Sequence, residues 1–263
     1  MDLREKLSIV HNLISVNKFN DAIYHCNKLI KKFPNVSYIY NLCGLAHQGN
    51  REMLKSIEFF AKALHYEPDN IAAKNNLANS YKYTNQNGKA EEIFKSIFKQ
   101  DPKNIKALNN YANLKKKLND FNSAKETLLK ALEIEKNEPN ILFSLAECYQ
   151  STGDLTKAKS YALKILKIQP KNPIVHKFIG GIVNHNSKES NLSIMRDIFE
   201  SKDFAKYMPD QKMNLCFALG KAYEDINDYK NSFKFLDKAN SIGKSITNYQ
   251  ISNDEKIFKN IIQ

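Results

Sequence analysis

The chain has 263 residues, with 40 Lys and Arg against 28 Asp and Glu, a formal net charge of +12. Only Arg4, Arg51 and Arg196 are arginine, so the bidentate phosphate and guanine contacts that favour Arg have little to draw on. The excess is read as Lys on solvated helix faces, and nucleic-acid binding is not expected.

No stretch approaches the roughly 18 apolar residues of a membrane span. The first residues, MDLREKLSIVHNLISV, alternate charge with apolar side chains and lack the apolar core of a signal peptide, so the expectation is a soluble, cytoplasmic protein with no membrane partner. Cys26, Cys43, Cys148 and Cys216 never form CxxC and read as buried thiols of a reducing compartment. The six histidines include no pair at a metal-ligand spacing, and no metal or cofactor is expected.

Pro34, Pro68, Pro102 and Pro170 fall on one ruler of 34 residues, whose missing mark holds Lys136. Ala22, Ser56, Ala90, Ala124 and Ala158 keep the same period. A 34-residue period signifies a repeat array built from helix–turn–helix units. With the proline at position 32, the units are 3–36, 37–70, 71–104, 105–138 and 139–172. Each first helix carries a one-sided apolar stripe, such as Leu77, Ala78 and Tyr81, or Leu142, Leu145, Ala146 and Tyr149.

Each turn offers a residue that tolerates a left-handed backbone: Asn17, Asn85, Asn119 and Gly153. The second unit departs, with Gly49 two residues early. The second helix carries the small residue and then a bulky one, Phe60, Phe94 or Leu128, that fills the gap beside it. The proline stops that helix, because it lacks a donor and disfavours helix in the residue before it.

Residues 37–70 and 139–172 thereby resemble the tetratricopeptide repeat, with Tyr40 at the usual Trp, Cys43-Gly44 at Leu-Gly, Ser56 and Ala63 at the two Ala positions, and Phe60 at the aromatic. The expected fold is all-α, a right-handed α-solenoid of about seven helix–turn–helix units with a C-terminal capping helix. Residues 1–172 make five units, 173–212 a divergent helix pair and connector, 213–246 a final unit, and 247–263 the cap. The cap is read from Ser252 and Glu255 at capping-box spacing, followed by Ile257, Phe258, Ile261 and Ile262.

The resemblance implies that first helices line a concave face. Positions 2, 5, 6, 9 and 12 then place Asn75, Asn76, Asn79 and Lys82, and Lys106, Asn109, Asn110, Asn113 and Lys116 on one wall, with Tyr83 and Lys117 at its edge. Amides both donate and accept, so such a ladder can pair with the backbone of an extended peptide. It is equally what the repeat family carries as background at positions 6 and 9. The carboxylate clamp that grips chaperone tails is not expected, because Asn75, Asn140 and Ser144 stand where it needs basic residues. The function expected is a non-catalytic scaffold that holds a protein or extended peptide partner, one of acidic character included.

A narrower resemblance concerns residues 180–263. The run LCFALGKAYEDINDYKNSFKFLDKANSIGKSITNYQISNDEKIFKNI is similar to the last repeat and linker of bacterial tetratricopeptide-repeat sulfotransferases, which precede a PAPS-dependent catalytic domain. The sequence carries no Gly-rich phosphate loop of that kind, since its one glycine pair is Gly180-Gly181 in FIGGIV. This resemblance implies the alternative of a substrate-recruiting part whose catalytic domain lies outside this chain, and no catalytic residue carries over.

Overall fold

The structure is a computed structural model in which residues 2–182 and 191–247 are described. All fifteen elements among the described residues are α-helices, and no strand occurs there. The chain divides into two compact units, Met1–Lys136 and Asn137–Gln263.

The first unit is four consecutive helical hairpins: α1 (Leu3–Ser15) with α2 (Phe19–Lys32), α3 (Ser37–Gly49) with α4 (Met53–Tyr66), α5 (Ile71–Tyr83) with α6 (Asn87–Gln100), and α7 (Ile105–Lys117) with α8 (Phe121–Ile134). The small-residue ruler lies at its centre. Ala22, Ser56, Ala90 and Ala124 are all fully buried, and so are Cys26, Phe60, Phe94 and Leu128 one turn later. The two helices of a hairpin meet at these positions, and a bulkier side chain would force them apart. The partner surface is also pared down. A Cβ added at Gly44 would lie 2.5 Å from the Phe60 ring.

Every second helix ends in the same way. Phe33, Glu67 and Asp101 leave the helix at φ −135°, −134° and −140°, as expected of a residue before proline. Glu135 does so at −132° although Lys136 follows it, so the tertiary packing imposes this ending and proline only favours it. Tyr40 then ties the next helix back, its hydroxyl donating to the Pro34 carbonyl at 2.7 Å.

The turns correct one expectation. Asn17, Asn85 and Asn119 have φ of 60°, 61° and 59°, and Arg51 completes the series at 63°. The second repeat therefore keeps the common turn, with Arg51 in the left-handed position. Gly49 is not its turn glycine. It sits at the end of α3, where an added Cβ would run into the Phe19 ring, so its role is close packing.

The second unit contains α9 (Pro139–Ser151), α10 (Leu155–Ile168), α11 (Pro173–Gly180), α12 (Leu192–Glu200), α13 (Lys202–Lys206), α14 (Pro209–Asp225) and α15 (Tyr229–Thr247). Ala158 and Ala162 of α10 are fully buried, and Gly153 and Asn227 hold left-handed turns at φ 83° and 62°. His176 repeats the tether of Tyr40, with Nε2 donating to the Pro170 carbonyl at 2.8 Å. Tyr207 and Met208 link α13 to α14. Pro209 opens α14 at its first helical position, where a missing N–H costs nothing. Gly220 of α14 meets Leu236 of α15, where a Cβ would come within 2.7 Å. Met195, Ile198, Leu215, Leu219 and Phe235 form the core around this hairpin. The expected cap with Ser252, Glu255, Ile257, Phe258, Ile261 and Ile262 lies outside the described residues.

All four cysteines are buried thiols. The Cys43 thiol is pushed up by its hydrogen bond with Cys26 and by burial. Burial pushes Cys216 up to about 11. A thiol held protonated is a poor nucleophile, which suits packing.

Two substitutions test this geometry. Arg51→Gly relieves a non-glycine residue of a left-handed backbone that costs about 1–2 kcal/mol, and urea unfolding should show a gain of up to that size. Phe60→Ala empties a fully buried ring position and should cost about 3–5 kcal/mol in the same measurement.

Candidate functional site

A cavity of about 520 Å³ opens on the first unit. One side is contributed by Ile14 of α1, Phe19 of α2, Leu45, Gln48 and Gly49 of α3 and Met53 of α4, with Asn17 from the first turn. The other is Asn79, Lys82 and Tyr83 of α5 with Asn110 and Asn113 of α7. One flank is therefore mainly apolar, and the other carries amides, one ammonium and one phenol.

Of the ten residues expected on this wall, the structure brings Asn79, Lys82, Tyr83, Asn110 and Asn113 to the cavity. Asn75 and Asn76 are engaged elsewhere. Asn76 Nδ2 donates to Asn41 Oδ1 at 3.0 Å, and Asn110 Nδ2 donates to Asn75 Oδ1 at 3.0 Å. The two bonds are equivalent, each joining position 6 of one repeat to position 5 of the repeat before it. The amide ladder thus bonds neighbouring first helices to each other, and Asn110 serves both this bond and the cavity wall. Lys106 is exposed and outside the lining. Asn109 is half-buried and also outside it. Lys116 Nζ donates to Asn113 Oδ1 at 3.2 Å, which orders that amide.

Lys82 is the charged group of the site. Its ammonium lies 4.9 Å from the centre of the Tyr83 ring. Burial, followed by the Lys117 and Lys116 charges, holds it below the ordinary lysine value. Lys117 is anchored beside it by Asn85 Oδ1 at 2.7 Å and by the Lys82 carbonyl. Lys115, in the same run, shows the contrast. Burial lowers it, but hydrogen bonds to Glu91 and Tyr111 outweigh this and hold it above the ordinary value, with Glu91 Oε1 3.2 Å away. Among the described residues Lys82 makes no such ion pair. Among the described residues no carboxylate lines the cavity.

Asn79 Oδ1 is buried with no hydrogen-bond partner among the described residues. Sequence reasoning missed the apolar flank, Ile14, Phe19, Leu45 and Met53, and also Gln48. The signal was present for two of them, because Leu45 and Gln48 occupy the register positions of Asn79 and Lys82 one repeat earlier. Gln48 Nε2 also donates to Ser80 Oγ at 3.2 Å, and Ser80 Oγ lies 2.8 Å from Ser56 Oγ, so this flank is pinned to the small-residue seam.

Among the described residues no three His, Cys, Asp or Glu come together as a metal site, and no helix there is long and apolar enough to cross a membrane.

Residues 84–142 and 118–181 match one tetratricopeptide-repeat family model, and residues 214–242 match a second. These stretches are tetratricopeptide repeats. No curated protein matches the chain in sequence. Among solved structures, a tetratricopeptide repeat protein from Parabacteroides merdae superposes with a TM-score of 0.62 at 17% identity, covering 99% of this chain and 98% of that one. A thermophilic tetratricopeptide protein of Thermus thermophilus gives 0.61 at 17% identity, over 68% of this chain and 97% of its own. A chain of the Cut9–Hcn1 hetero-tetramer of the APC/C gives 0.67 at 13%, over 93% of this chain and 47% of that chain. At these identities the likeness concerns the tetratricopeptide fold alone.

The amide bonds between repeats set a clear stability contrast. Asn110→Ala leaves Asn75 Oδ1, in a residue only 9% exposed, without its donor, and should cost about 1–3 kcal/mol by denaturant titration. Asn76→Ala should do the same through Asn41. Asn79→Ala removes an acceptor that already lacks a partner and should be close to neutral. Equal losses at all three positions would contradict the assigned bonds.

Proposed function

We propose that the chain is a non-catalytic tetratricopeptide scaffold whose first unit holds an extended, acidic segment of a protein partner in the cavity between α1, α3, α5 and α7. The observation that carries this reading is Lys82, a partly buried ammonium with Lys116 and Lys117 close by and, among the described residues, no carboxylate in the lining. A cation held in a partly dehydrated site is strengthened by an opposing charge. Tyr83 is 60% exposed and offers a ring at the rim. Ile14, Phe19, Leu45 and Met53 form the apolar flank on the opposite side. An apolar side chain followed closely by Asp or Glu would meet both flanks, while Asn79 and Asn113 face its backbone. The amides of Asn76 and Asn110, spent between repeats, hold the wall in register.

Selection of peptides from a random library on the full chain is the direct test. Acidic sequences with a neighbouring bulky apolar residue should be enriched, and Lys82→Glu should weaken their binding at least tenfold while Lys106→Ala leaves it unchanged. Binding should weaken with salt. It should also fall as pH rises through the lowered Lys82 value, before the roughly 10.4 of an ordinary lysine, because only the protonated amine attracts the acid. Undiminished binding by Lys82→Glu would remove this cavity as the site.

A second reading makes the chain the substrate-recruiting part of a PAPS-dependent sulfotransferase. Its support is the sequence resemblance of residues 180–263. A sulfotransferase sequence continuing the reading frame beyond Gln263 would support it, and a stop codon there would weaken it.

A further inference from the structure

A second concavity lies on the first hairpin, between α1 and α2, and shares no residue with the cavity above. Its volume is about 290 Å³, and Lys6, Ile9, His25, Lys28, Leu29 and Lys32 line it. On α2 the four lining positions are i, i+3, i+4 and i+7, a single helical stripe. On α1 they are i and i+3. Each helix thus supplies one aliphatic floor residue, Ile9 or Leu29, flanked by basic side chains.

The rim is basic throughout. Lys28 Nζ rests 4.3 Å from the Tyr24 ring centre and Lys32 Nζ 5.6 Å from that of Phe33. Among the described residues neither these nor Lys6 and His25 are paired with a carboxylate. Lys28 and Lys32, one turn apart, repel each other. Among the described residues the lining carries no amide or hydroxyl side chain, in contrast with the cavity proposed to hold a peptide, so it is not built to pair with a peptide backbone. The volume lies at the lower bound of small-molecule sites, about 300–1,000 Å³.

We propose that this pit binds a free medium-chain carboxylate, with the hydrocarbon tail against Ile9 and Leu29 and the carboxylate among Lys6, Lys28 and Lys32. The tail gains by leaving water, and the head group meets a positive cluster that lacks an internal counter-charge. A longer chain gains about fourfold in affinity for each methylene buried until the pit is filled.

Isothermal titration of the full chain with straight-chain carboxylates tests this. Decanoate should bind at one saturable site, more tightly than octanoate and hexanoate in that order. Lys28→Glu combined with Lys32→Glu should lower decanoate affinity at least tenfold with an unchanged circular dichroism spectrum. Ile9→Asn, a change at a part-exposed position, should flatten the dependence on chain length. Absence of binding, equal affinity for decyltrimethylammonium, or decanoate binding untouched by the charge reversal would overturn the proposal. So would binding to anionic phospholipid vesicles without binding to free decanoate, which would make the patch a membrane contact.

Discussion

The constraint on which the first unit rests is close approach of two helices at one small residue per hairpin. Ala22, Ser56, Ala90 and Ala124 are fully buried at that point, and a large side chain one turn later fills the space beside it. In the second hairpin the demand is met from both sides, with Gly44 giving way to the Phe60 ring. A protein interior packs as densely as an organic crystal, so this contact sets how far apart the helices lie. The same small buried residue recurs from one hairpin to the next. Regular spacing is what lets Asn76 reach Asn41 and Asn110 reach Asn75 with bonds of identical length.

The fold was legible because it depends on periodic features. Prolines and small residues keep a 34-residue phase, and the physics behind each is local: a helix stop in one case and a close contact in the other. Where the signal was partial, the tertiary structure supplied the rest. Arg51 adopts the left-handed turn without being Asn or Gly, because the hairpins on either side demand the geometry. Glu135 ends α8 without a following proline for the same reason. Gly49 misled because a glycine near a turn suggests backbone freedom, whereas its service is to admit the Phe19 ring. That contact joins residues 30 positions apart, and no local pattern announces it.

The candidate site was half legible. Register alone identifies which residues of α5 and α7 share a wall, and Asn79, Lys82, Tyr83, Asn110 and Asn113 do line the cavity. Register cannot say how an amide is spent. Asn75 and Asn76 share that helix face, yet their amides bond to the neighbouring repeat. The charged run 115–117 divides in a way that composition could not foresee. Lys115 is neutralised by Glu91, Lys116 orders Asn113, and Lys117 stands beside Lys82. One run of like residues therefore performs three tasks, and Lys116 and Lys117 both add positive charge near Lys82. The result is a rigid wall with an apolar flank and a cationic flank, suited to a short extended segment.

Hydrogen–deuterium exchange of the full chain, with and without a peptide selected on it, addresses the central claim most directly. The account predicts that slowed exchange is concentrated in the segments of α3, α5 and α7 around residues 45–49, 79–83 and 110–113. Slowed exchange confined to the second helices α2, α4 and α6, or to residues 137–247, would contradict it.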